Sequence, residues 1–309
     1  MDRKLREFLC LSPAGYALTC SVAALLGWVV GEPFFQEGGD AARVVPANAF
    51  LCPAVLGLIA AALVFIDSVS RKSAVESIIL GVSGFGVVFA ATFFIMIPAQ
   101  VVFSWFSSAA HAASGFDRGI GFISILAGRS ISWCLFSAGV VTLLIVNKEA
   151  GTFMAVITGT LVSGAISGLL FDPIQLVLLG HGIELPWVSR VICFLVFGGL
   201  IGLFFGIAKG LSRDGQLLIT SGELAGSVLV LDSAPCLIGP SRKCDLTVRS
   251  RGMKDFAAVV QKTGFGFRFY VLDEGSAFSV NNRKIRISAL RAGDRVRIGE
   301  VDMIFSNGS

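Results

Sequence analysis

The sequence predicts a polytopic α-helical membrane domain over residues 1–210, followed by an all-β sandwich over 211–309. Three observations carry this. The chain has 54% hydrophobic and only 15% charged residues, with a mean hydropathy of +0.80, which is wrong for an ordinary soluble protein. Long apolar runs fill the chain up to about Leu211. Beyond that point short segments alternate between apolar and polar residues with a period of two.

A membrane span needs about 20 predominantly apolar residues. The runs at 13–34, 47–67, 77–104, 127–146, 152–180 and 187–208 meet that length and predict six spans, with 107–126 open between loop and further helix. The second-longest of the runs, 77–104, and the longest, 152–180, leave room for tilt or an extra turn. The first run is no cleaved signal peptide, because no small-residue cleavage site follows it and further spans do.

Lys and Arg near span ends set the orientation. With the N-terminus inside, Arg3, Lys4, Arg6, Arg71, Lys72, Lys148, Lys209 and Arg213 face inward, against Arg43, Arg118, Arg129 and Arg190 outside. Both termini are therefore expected in the cytoplasm of a multi-pass protein of a bacterial inner membrane.

Acidic residues close the odd spans and arginines open the even ones: Glu32 with Arg43, Asp117 with Arg129, and Asp172 with Arg190. Three related helical hairpins are expected, each stapled by its own pair at the interface. A polar site for an ion or substrate is the sharper alternative, since ionisable groups near a bilayer are costly. No charged residue is expected near the middle of a span. Gly198, Gly202, Gly206 and Gly210 recur every four residues, as do Gly164 and Gly168. Such stripes let helices approach closely within the bundle, with homo-oligomerisation as the other use.

From Gln216 onward eight strands are expected, at 216–220, 227–231, 245–248, 257–261, 267–272, 283–287, 295–298 and 301–305, broken by Gly, Asn, Asp and Ser turns. Residues 1–210 hold 11 Lys/Arg against 11 Asp/Glu, so the remaining 14 against 10 carry the whole net charge of +4. That mild basicity suits an ordinary solvated surface, and contact with anionic membrane lipids is its functional reading.

Leu237-Ile-Gly-Pro-Ser-Arg-Lys-Cys-Asp-Leu246, Phe256-Ala-Ala-Val259, Tyr270-Val-Leu-Asp-Glu-Gly-Ser276, Val280-Asn-Asn282 and Leu290-Arg-Ala-Gly-Asp-Arg-Val-Arg-Ile-Gly299 resemble a forkhead-associated (FHA) domain, in order and spacing across most of 216–307. The resemblance implies two sheets whose apical loops capture phosphothreonine peptides. Here the contacts depart from the family. Pro240 stands where an arginine follows the first glycine, Met253-Lys-Asp-Phe256 replaces Ser-x-x-His, and Ala277-Phe278 replace an Asn-Gly. Neither Pro nor Met donates a side-chain hydrogen bond. Substitute contacts are expected from Ser241, Arg242, Lys243, Lys254, Ser276 and Asn281. Gly239, Asp245, Gly275, Asn281, Gly293, Asp294 and Gly299 are expected to keep the frame, at turns that need positive φ or a side-chain cap. The expectation is a degenerate module that holds a cytoplasmic protein partner, with phosphothreonine binding as the alternative.

Catalytic signatures are absent: no phosphate-binding Gly-x-x-x-x-Gly-Lys-[Ser/Thr], no His-Glu-x-x-His and no Gly-x-Ser-x-Gly. The two histidines, His111 and His181, fall in expected outer loops, and Ser137 and Ser163 have no histidine at comparable depth. The seven cysteines show no paired spacing and read as small buried apolar groups. No cofactor or metal is expected, and the tail lacks the interleaved aromatic and basic pattern of a nucleic-acid binder. The composite expectation is a non-enzymatic membrane-anchored adaptor or scaffold in signalling, against a transporter or channel regulated by its tail.

Overall fold

The computed structural model describes residues 12–34, 41–69, 74–114, 118–143, 153–182, 185–211 and 215–307, with breaks in the last stretch at 223, 227, 232–234, 242, 249–252, 265 and 274–277. The chain divides into two compact units: Glu7–Phe65 with Ile79–Ala208, and Lys209–Ser309 grouped with Ile66–Ile78.

The helices are α1 Pro13–Gly31, α2 Ala41–Val69, α3 Ala74–Ser114, α4 Arg118–Ser137, α5 Phe153–Gly180 and α6 Pro186–Leu211. The first unit is built from them, apart from the end of α2 from Ile66, the start of α3 up to Ile78 and the last residues of α6. Among the described residues six helices are long and apolar enough to cross a membrane. Ser12 caps α1 by accepting the Gly15 amide at 3.0 Å, with Pro13 in the first turn, where its missing N–H costs nothing. Outward positions are apolar too. Val75, Ile79, Val82, Phe94, Ile97, Val101 and Trp105 of α3 are all exposed, as a lipid-facing helix requires.

In the ambiguous stretch 107–126, α3 runs on to Ser114 and α4 begins at Arg118, so the described residues there extend two expected spans and add no further one. At 1.5 Å rise per residue, the 41 residues of α3 reach about 60 Å, twice a hydrocarbon core. The fourth helix accordingly starts at Arg118, about nine residues before the expected span, and His111 lies in the last turn of α3, not in a loop.

Glycine contacts join consecutive helices and close the ring. An added Cβ at Gly27 of α1 would lie 2.5 Å from Val55 Cα of α2, and one at Gly84 of α3 would lie 3.0 Å from Val64 of α2. Gly128 of α4 faces Phe106 of α3, Gly164 and Gly168 of α5 face the backbone of α4 at Trp133 and Ser130, and Gly159 of α5 faces Phe204 of α6. Gly198, Gly202 and Gly206 of α6 then meet Cys20, Tyr16 and Pro13 of α1. That stripe is used within the chain. Ser137 and Ser163 turn their hydroxyls onto their own helices, donating to Cys134 O at 2.8 Å and Gly159 O at 2.7 Å.

The second unit is a sandwich of β1 Gly215–Ile219, β2 Val228–Leu231, β3 Cys236–Gly239, β4 Leu246–Thr247, β5 Ala258–Thr263, β6 Gly266–Val271, β7 Phe278–Val280, β8 Ile287–Ala289, β9 Arg295–Ile298 and β10 Val301–Asn307. One sheet runs β2-β1-β10-β9-β7 and the other β4-β3-β5-β6-β8. All ladders are antiparallel except β3 with β4. Alternation puts Leu217, Ile219, Val296, Ile298, Met303 and Phe305 of the first sheet against Ile238, Val260, Phe267 and Phe269 of the second.

The short strands β3 and β7 were not among the eight expected. The strand expected at 283–287 forms instead at Ile287–Ala289. The reason is a two-residue turn at Asn281-Asn282, both at positive φ (51° and 64°), which brings Arg283 back opposite Val280 through two 3.0 Å backbone bonds. Positive φ at both central residues is the type I′ geometry that matches strand twist, and Asn tolerates it.

Gly202→Ala should lower the thermal midpoint of the detergent-solubilised chain, by an overpacking cost of about 1–3 kcal/mol, because the new Cβ meets the Tyr16 backbone. Gly210→Ala, with open space around it, should leave the midpoint unchanged or raise it.

Candidate functional site

Two places gather polar side chains. In the sandwich, the loops after β3 and before β5 are stitched together at Asp255. Its carbonyl accepts the Ser241 amide at 3.3 Å and the Cys244 thiol at 3.4 Å. Gly239 ends β3 against this carbonyl, where a Cβ would sit only 2.5 Å away. Asp245 closes the first loop, accepting the Leu237 amide at 2.8 Å on its carboxylate while its own N–H donates to Leu237 O at 2.9 Å. Ser241 Oγ accepts the Lys243 amide at 3.3 Å.

Asp273, buried just after β6, anchors the second loop. Its carboxylate accepts the Lys254 amide at 3.0 Å, and Lys254 Nζ lies 3.8 Å from its other oxygen with the lysine side chain 80% exposed. The Ala257 carbonyl accepts the amides of Leu272 and Asp273 at 2.9 and 3.2 Å. Phe256 and Leu272 flank this junction and point outward, 40% and 51% exposed. Met253 packs against the core instead.

Of the expected contact residues, Ser241, Lys243 and Lys254 thus come from two loops tied at one place. Asn281 does not join them: its Nδ2 donates to Asp294 Oδ1 at 2.8 Å and its Oδ1 accepts the Arg295 amide at 2.9 Å. Asp294 also caps the Arg291 amide at 2.7 Å, and Gly293 and Gly299 take φ of 91° and 59°. Arg242 and Ser276 lie outside the described residues. Phe256, Leu272, Asp255 and Asp273 were not among the expected site residues, because nothing in sequence separates an outward apolar strand-end residue from a core one.

In the helical unit the ion pairs join different hairpins, which corrects the expectation that each hairpin is stapled by its own pair. Asp172 of α5 accepts from Arg129 Nε of α4 at 2.9 Å. Arg190 of α6 donates to Glu32, after α1, at 2.5 and 3.3 Å. The partners Asp117 and the side chain of Arg43 lie outside the described residues. Two facts of packing explain the shift. Glycine contacts bring α4 against α5 and α6 against α1. Because α4 begins at Arg118, Arg129 stands about three turns into its helix, far from the α3–α4 turn. It therefore lies near the middle of the apolar stretch Gly119–Leu143, where no charge was expected.

Both arginines line one cavity of about 180 Å³ between α2, α3, α4, α5 and α6, together with Gln100, Ser132 and a wall of aromatic rings. Arg129 lies between two rings there, its guanidinium carbon 4.2 Å from the Phe171 ring centre and 5.0 Å from that of Phe103. Trp133 stacks on Phe194 at 5.3 Å. No group of three or more His, Cys, Asp or Glu able to hold a metal occurs among the described residues. His111 and His181 hydrogen-bond carbonyls one turn back, Ser107 O and Val177 O, at 2.7 and 2.8 Å.

Fold and site together define a bundle of long apolar helices carrying an FHA-like sandwich. The chain is similar to an FHA domain solved in a study of phosphothreonine-dependent FHA interactions, at 19% identity over 30% of this chain and 95% of that one, with a TM-score of 0.28. It is also similar to the FhaA FHA domain solved with the intracellular domain of Rv3910, at 20% identity over 29% and 98% of the two chains, with a TM-score of 0.27. A third likeness, at 18% identity over 30% and 80% with a TM-score of 0.28, is to the cytoplasmic domain of the secretion sorting-platform protein PscD from P. aeruginosa. No protein-family model matches the chain, and no curated protein does.

Asp172→Asn should leave Arg129 without its counter-charge. The loss, about 1–3 kcal/mol, falls short of the 3–5 of a fully buried pair because both side chains keep some exposure. Thermal unfolding in detergent measures it, and an Asp172→Asn/Arg129→Gln double variant should recover part of it. In the sandwich, Asn282→Val should cost about 1–2 kcal/mol in urea unfolding, since a β-branched residue resists φ of 64°.

Proposed function

We propose that this chain is a membrane-anchored adaptor: the helices fix the FHA-like sandwich at the cytoplasmic face of a bacterial inner membrane, and the β3–β4 and β4–β5 loops hold a protein partner. The observation that carries this reading is the composition of that loop end. Exposed Phe256 and Leu272 stand beside exposed Lys243 and Lys254, on a frame locked by Asp245, Asp255 and Asp273. An apolar centre with a basic rim suits an interface with a protein surface that is apolar and acidic.

Phosphate is not what this end is built for. Capture of a phosphothreonine dianion wants a guanidinium or hydroxyl and amides converging on it. Pro240 and Met253 supply no side-chain donor, and the Ser241 amide is already given to Asp255. The partner is therefore held without its phosphate, and the chain itself performs no catalysis and needs no cofactor.

The charged cavity of the helical unit favours a second reading, a transporter or channel regulated by the sandwich. Paired ionisable groups around a cavity between spans are what a substrate path uses.

Cross-linking and pull-down with the full chain in detergent, and with residues 214–309 alone, should recover one specific partner. Phe256→Asp should weaken its binding at least tenfold, and phosphatase treatment of the partner should not. Binding abolished by phosphatase would replace this reading with phosphothreonine capture. Substrate-dependent flux in liposomes, lost on Arg190→Gln, would replace it with the transporter.

A further inference from the structure

The geometry points to the cavity between α2 and α6 as a binding site for a monocarboxylate carried on a small apolar body. Size sets the first limit. A cavity of about 180 Å³ is slightly larger than one of about 150 Å³ that accommodates a single benzene ring. The wall sets the second: Phe103, Trp133 and Phe171 present ring faces and edges, which suit a flat aromatic or short aliphatic group.

The polar end fixes the head group. Among the described residues, Arg129 donates a hydrogen bond only from Nε, to one oxygen of Asp172. Its terminal N–H groups remain as a planar fork, and cation–π contact with Phe171 and Phe103 on two sides limits its movement. A carboxylate is the acceptor that matches such a fork with two parallel bonds. Gln100, which also lines the cavity, adds a further amide.

Charge decides between a monoanion and a dianion. Arg129 and Arg190 are already offset by Asp172 and Glu32, so the four groups sum to zero. A phosphate dianion would enter against no net positive charge and pay a large desolvation cost, whereas a single carboxylate needs only the unused donors.

The test uses the full chain in an uncharged maltoside detergent, read by calorimetry and by tryptophan fluorescence, with Trp133→Phe identifying the reporter. Benzoate represents an acid arriving from water and decanoate one arriving from the bilayer. At least one should bind saturably, with a Kd at or below about 1 mM, and benzyl alcohol or decanol should bind at least tenfold more weakly. Arg129→Lys, which keeps the charge and loses the fork, should erase that tenfold preference while leaving the thermal midpoint within a few degrees. Cys52→Leu, which fills the cavity from α2, should abolish binding of both acids. Absence of saturable binding by either acid, equal binding of acid and alcohol, or binding unchanged in both variants would overturn the proposal.

Discussion

The helical unit depends on α6 closing against α1. In lipid no hydrophobic force drives apolar helices together, so association rests on close van der Waals contact and on the few polar links available. The three glycines Gly198, Gly202 and Gly206 remove every Cβ along the line where α6 meets Cys20, Tyr16 and Pro13. Once those backbones touch, Arg190 is brought to Glu32 across 158 residues of chain. The same logic repeats where Gly164 and Gly168 seat α5 on α4 and Arg129 reaches Asp172. The ion pairs are consequences of glycine packing, and through them both guanidiniums come to face one cavity. A larger residue at Gly202 would act on the charged end as well as on the interface it occupies.

The sandwich obeys a different constraint. Its strands are short, so the turns must be held by side chains and special backbone. Asp294 caps Arg291, binds the Asn281 amide and passes its carbonyl to the Phe305 amide, which knits the β7–β8 turn to β10. Asp245 and Asp273 perform equivalent tasks in the second sheet. These acids are consumed by the frame. What remains for a partner is the set of side chains the frame does not use, Lys243, Lys254, Phe256 and Leu272 among them. A module can keep such a frame while its binding chemistry changes, because the two draw on separate residues.

Length and period made the architecture legible. Runs of about 20 apolar residues gave the six helices, and alternation such as Arg295-Val-Arg-Ile298 gave the outward and inward faces of β9. Boundaries failed where sequence lacks a local stop. Ser114-Gly115 and Asp117-Arg118 do mark a helix end and a helix start, but hydropathy over 107–126 is too weak to show that α4 already begins there, and so Arg129 reads as an edge residue. The pairing of charges is hidden for a related reason: neighbours in sequence need not be neighbours in space, and glycine spacing decides which helices touch. The glycine lines were visible in the sequence and held the signal that would have matched Asp172 to Arg129. Among the sandwich turns, Asn281-Asn282 was legible as a positive-φ site, but the register shift it imposes on β8 depends on the opposing strand.

The division of charge follows from these two constraints. Residues 1–210 are neutral overall, and the described charges facing the bundle cavity cancel in pairs, as they must where an unpaired ion is costly. The net +4 belongs to the tail, whose exposed strands and turns carry Arg268, Arg283, Lys284, Arg295 and Arg297 in contact with water. Long-range attraction of a charged partner is therefore a property of the sandwich, screened by salt over about 8 Å at physiological ionic strength. In the bundle, where the paired charges cancel, only the short-range donors at the cavity remain, the terminal N–H groups of Arg129 among them. The two units thus offer physically separate chemistry: the tail surface charge around an apolar patch, the bundle a shaped cavity with directed N–H donors.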